Sequence, residues 1–179
     1  MKKVLLIAAA LLIVASTVNA LPPVGYIGLF ADAGHQVCNV MAPAPFYPFT
    51  MWIWCLPSVN GMQAAEWMVT YPTNIIGSTV TQNPDITVAL GSLNAGISVA
   101  YANCNLDWVW THNQACYITD LAPSWIRIVP HPTAGAYQFA NCQLGYPIEA
   151  ILLLNNLAIN QGCIVATQDA TWGAIKSLF

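Results

Sequence analysis

Charge is what this sequence has least of. Only 6% of its 179 residues are charged, with four Lys or Arg against seven Asp or Glu. Soluble domains average about 25%. Four cations do not build a phosphate-neutralising surface, so nucleic-acid binding is excluded. A chain that is 57% hydrophobic is not intrinsically disordered either.

Other absences narrow the field. There is no G-x-S-x-G elbow, no H-E-x-x-H and no glycine-rich phosphate loop. No cofactor is expected. No close C-x2-C pair suggests zinc. No apolar run reaches the roughly 20 residues of a membrane span. The longest, Val4–Ala15, follows Lys2 and Lys3 and ends in Ser16-Thr-Val-Asn-Ala20. A basic start, a short apolar stretch and a small-residue end make a cleavable export signal over residues 1–20. No transmembrane helix is then expected in the mature chain. Its cations would be Arg127 and Lys176 alone, so low charge belongs to the folded domain and not to the leader.

What is present is strand chemistry. Short segments rich in Val, Ile, Thr, Trp and Tyr alternate with Gly, Pro and Asn. Strands are expected at 24–30, 49–55, 64–71, 78–82, 86–90, 96–102, 107–112, 115–119, 125–129 and 148–154. In 64–71, Ala65, Trp67, Val69 and Tyr71 share one face. This density of short strands predicts an all-β, Ig-like antiparallel sandwich over residues 21–165. A tail at 166–179 would form a short helix with Trp172, Ile175 and Phe179 on one face.

All six cysteines follow the leader, an even count that suits disulfides in an oxidising compartment. Six cysteines allow fifteen pairings. Joining sequence neighbours gives Cys38–Cys55, Cys104–Cys116 and Cys142–Cys163.

Candidate chemistry is sparse. Asp32 and His35 lie three apart, His112 precedes Cys116 by four, and Glu66 and Arg127 sit on expected strands where they would make a structural ion pair if they met. None of these spacings selects a reaction. The aromatics are a better lead. Trp52 with Trp54, and Trp108 with Trp110, are i, i+2 pairs and share a strand face. Exposed, they would stack on sugar rings; buried, they would fill the core. Sparse charge also leaves strand edges unprotected, which favours pairing with another chain.

Three stretches carry a resemblance: GMQAAEWMVTYP at 61–72, IRIVPHPTAG at 126–135 and TWGAIKSLF at 171–179. Together they resemble a group of secreted bacterial proteins with a Thr-Trp-Gly tail. The first stretch is also similar to the opening sandwich strands of cohesin-like domains. The resemblance implies a secreted sandwich and supplies no active site. The expected function is therefore binding or structural, outside the cell or on its surface, through contact with another protein or with copies of itself. A carbohydrate-binding module using the tryptophans is the alternative, and an extracellular hydrolase with no located site is the second.

Overall fold

The computed structural model describes residues 25–163. The expected leader and C-terminal helix, with the domain limits set by them, lie outside these residues.

The described chain is all strand and loop. Its elements are β1 (Gly25–Phe30), β2 (Asn39–Val40), β3 (Tyr47–Leu56), β4 (Met62–Thr70), β5 (Ile75–Gln82), β6 (Ile86–Ser92), β7 (Gly96–Asn105), β8 (Val109–Ile118), β9 (Ser124–Val129), β10 (Gln138–Ala140), β11 (Ile148–Asn155) and β12 (Leu157–Ile159). The strands expected at 107–112 and 115–119 are one continuous strand, β8. Asn113 and Gln114, which separate the two expected strands, sit in its middle. Asn113 faces outward opposite Trp52, and a register shift between Ile53 and Trp54 absorbs the irregular pattern. Three short strands, β2, β10 and β12, carry no alternation long enough to read from sequence.

Pairing gives two layers. One is β11-β1-β3-β8-β5; the other is β2-β12-β9-β4-β7-β6. The short strand β10 pairs with both β4 and β11, closing one side. The opposite side stays open, with β5 and β6 as its free edges. Most pairings are antiparallel, as expected, but β1 with β11 and β2 with β12 are parallel.

Alternation explains the core. Ile27, Leu29, Met51, Ile53 and Cys55 point inward from one layer; Ala65, Trp67, Val69, Val99, Ile126 and Ile128 meet them from the other. Burying each large aliphatic or aromatic side chain contributes about 1.5–3 kcal/mol.

The expected disulfide pairing is corrected at every bond. Cys38 joins Cys163 (Cα–Cα 5.9 Å) and Cys104 joins Cys142 (5.8 Å), whereas Cys55 and Cys116 are free and buried. Cys38–Cys55 and Cys104–Cys116 fail because each needs a core cysteine, and Cys142–Cys163 fails because those two cysteines are bonded to Cys104 and Cys38. Cys55 on β3 and Cys116 on β8 are 1% exposed and belong to the core. Nor can they join each other: Cys55 lies opposite Val109, and Cys116 opposite Phe49, at the other end of the β3–β8 pair.

Candidate functional site

Two outer faces stand out, one on each layer. On the second layer, cross-strand register sets side chains in rows. Ala140, Ala64, Ala100 and Val88 face one another across β10, β4, β7 and β6, and Ile148 on β11 continues the row. The next row is Ala150, Gln138, Glu66, Ser98 and Leu90. Alanine and serine leave the middle low. The result is a trough with a hollow of about 130 Å³ at Ala64, Ser98, Gln138 and Ala140. Its ends are raised by exposed aliphatics: Ile148 at 61%, Val88 at 48% and Leu90 at 65%.

Glu66 is the charged side chain in these rows. Gln138 Nε2 donates to Glu66 Oε1 at 2.9 Å, and Ser98 Oγ donates to Oε2 at 3.4 Å. His131 Nδ1 lies 3.5 Å from Oε2 and also accepts from Thr133 N–H at 3.3 Å. A neutral ring satisfies the Thr133 bond; only an imidazolium would make the Glu66 contact a salt bridge. Glu66 and Arg127, which would have made an ion pair had they met, do not meet. Arg127 sits opposite Thr70 on β9 and is exposed, and Glu66 is bound from β10 and β7 instead.

The other face carries the four tryptophans singled out from the sequence. All four are half-buried, on or beside the outer surface of β1, β3 and β8. Trp54 lies opposite Trp110 and Gly28. Trp52 lies opposite Asn113 and Phe30. Trp52 and Trp110 meet edge to face, with centroids 5.4 Å apart and planes at 73°. Trp108 stacks on His35 at 4.3 Å, and His35 also leans on Trp54 at 4.9 Å. The rings therefore interlock and do not form a coplanar shelf. Gly28 makes room for Tyr26 and Phe30 beside them: a Cβ there would stand 2.6 Å from Tyr26 Oη and 2.7 Å from a Phe30 ring carbon.

Sequence reading missed the His35 contact. The signal was present in Asp32-Ala-Gly-His35. Asp32 accepts N–H bonds from Gly34, Gln36 and Val37, which folds the loop back. That occupies the carboxylate and sets His35, at φ +47°, over the tryptophans. Asp32 and His35 are thus a loop fastener, with no assembled acid–base pair. Burial lowers the His35 pKa, against opposite pulls from Asp32 and Asp107.

Elsewhere, the groups considered for catalysis stay apart. His112 is buried against Trp67, and burial takes its pKa down to about 4. Cys55 and Cys116 are pushed up to about 12 by burial, so neither is a thiolate nucleophile. Burial raises the Glu149 pKa, but hydrogen bonds from Asn141, Ser58 and Asn60 outweigh it and hold the carboxyl below its usual range. Among the described residues, no three His, Cys, Asp or Glu side chains gather as a metal site.

No protein-family model matches the sequence, and no curated protein matches it closely enough to be a relative. Solved structures do match. A cohesin module of a family 33 glycoside hydrolase from Clostridium perfringens superposes with a TM-score of 0.55, covering 78% of this chain and 99% of that one at 11% identity. A type III cohesin of the ScaE anchoring scaffoldin from Ruminococcus flavefaciens gives 0.55, over 83% and 93%, at 10% identity. The sixth cohesin of scaffoldin B from Acetivibrio cellulolyticus, solved with a Cel5 dockerin mutant, gives 0.53, over 78% and 99%, at 12% identity. The fold is cohesin-like. At such identities the likeness is one of architecture. Both faces described above belong to the cohesin-like sandwich itself.

Proposed function

We propose that this chain is an exported, non-catalytic binding module that docks a partner protein in the alanine trough. The observation that carries the reading is the row Ile148–Ala140–Ala64–Ala100–Val88, a low apolar floor between raised aliphatic ends. A floor of small side chains lets a partner helix approach the sheet, as in helix-in-groove recognition. The matching partner element is an aliphatic helix face with one hydrogen-bond donor placed for Glu66. The cohesin-like fold supports the reading, since one of the matched cohesins was solved on a dockerin. Export is supported by the leader pattern and by the two disulfides.

The experiment is capture from the extracellular fraction of the source organism, with the wild-type chain and Ala100→Arg side by side. Ala100 faces outward from β7 and is half-exposed, so the arginine blocks the trough without entering the core. A partner retained by wild type and lost at least about tenfold with A100R supports docking there. The same proteins captured by both would refute it.

A further inference from the structure

We propose that the trough is covered, until a partner arrives, by this chain's own C-terminal segment, residues 164–179, with Lys176 on Glu66 and Asp169 on Arg127. The inference rests on the reading of the trough as a docking surface and names its resting occupant. Charge complementarity selects the segment. Arg127 is the one Lys or Arg among the described residues, and Glu66 is the one charged side chain in the trough rows. The segment carries one anion, Asp169, and one cation, Lys176. Glu66 and Thr70 point to the same side of β4, and Arg127 is the cross-strand partner of Thr70, so both charges face outward from one layer. Between them, Met68 and its partner Val129 are half-buried. Glu66 has room for an ammonium group. Gln138 and Ser98 take one bond on each oxygen, whereas a carboxylate offers about four acceptor sites. His131 is the other titratable neighbour, 3.5 Å from Oε2.

Order and reach also fit. The disulfide fixes Cys163 beside Cys38, with Cα–Cα 5.9 Å. Asn39 lies level with Ala158 and Trp125, so Cys38 lies level with Ile126, three strands from β4. At about 4.8 Å per strand and 3.3 Å per residue, Arg127 is then about 10 Å from Cys38 and Glu66 about 22 Å. The segment meets them in that order, since Asp169 precedes Lys176. Extended as far as residue 170 and helical beyond it, residues 164–176 span about 32 Å. Arg127 and Glu66 are about 14 Å apart. Residues 169–176 span about 10 Å as a helix and about 23 Å extended, which brackets that gap. Trp172, Ile175 and Phe179 share a face of the expected helix and supply the bulk that a floor of Ala64, Ala100 and Ala140 leaves room for. A partner protein would enter by displacing a tethered segment, so its affinity is set against the segment's local concentration.

The test uses the fact that residues 21–179 contain one lysine. A water-soluble carbodiimide joins its amine to a carboxylate in contact with it, and the reagent takes up the water lost as a urea. The expected product, mapped by digestion and mass spectrometry, is a Glu66–Lys176 amide in the monomer fraction. Arg127→Glu, at an exposed position, should lower its yield about threefold or more, and R127E/D169R should restore it. Ala100→Arg, which blocks the trough, should abolish it. Lys176 left unjoined, or joined only to other carboxylates, would overturn the proposal. So would a yield unchanged by R127E and A100R, or a link between copies when unlabelled and isotope-labelled chains are mixed. The partner reading fails separately. Capture that A100R abolishes, without the amide, refutes the tail as occupant alone. The amide without any captured protein refutes the partner alone.

Discussion

Gly61 shows how much one residue carries. Its φ is +74°, and a Cβ there would stand 2.5 Å from Cys104 Sγ and 2.8 Å from Cys142 Sγ. Both the turn and the disulfide contact require a glycine. Gly61→Ala should cost about 2–3 kcal/mol by chemical denaturation, and Gly162→Ala, where nothing lies within 4 Å, should cost under about 0.5. His112 makes the matching case for charge. The unfolded chain takes up its proton near the ordinary value of 6.5; the folded one waits until about 4. Between those values the unfolded state binds more protons, so stability is full above the window and falls as pH drops through it. His35, lowered mainly by burial, acts in the same direction. Urea unfolding should show a loss of at most about 3 kcal/mol between pH 7 and 4. His112→Asn should flatten that slope. Neither residue was readable beforehand: a glycine's φ and a histidine's burial are set by neighbours distant in sequence.

At the scale of elements, alternation made the long strands legible. Ala65, Trp67 and Val69 read as one face and are one face, buried in the core. The pattern failed where β8 carries Asn113 in mid-strand and where β10 has only three residues. Yet β10 closes the sandwich and gives the trough its Gln138 and Ala140. The trough was invisible for the same reason. Alanine on an outer face carries no periodic signal, and only register aligns Ala140, Ala64 and Ala100. Disulfide pairing failed similarly, because Cys55 and Cys116 are core residues of β3 and β8 that look like any other cysteine. Thiol titration of the mature protein should find none reactive when native and two per chain when denatured, the latter mapping to these two strands. Reaction of either thiol in the folded protein would contradict their burial.

The whole molecule answers how a domain with so little charge holds together. Cys38–Cys163 closes a separation of 125 residues and Cys104–Cys142 one of 38. On the chain-entropy model they stabilise by about 5 and 4 kcal/mol. That covers stability but not solubility. Val88, Leu90, Ile76, Tyr117 and Ile148 remain exposed, and surfaces of that kind mark places where another surface fits. The most direct measurement is site-specific photocrosslinking of the wild-type complex captured from the extracellular fraction. One probe replaces Leu90 at the edge of the trough, and the other replaces Ile76 on the opposite layer. The account predicts a covalent adduct with the partner protein from position 90 and none from position 76. An adduct from position 76 alone would contradict it.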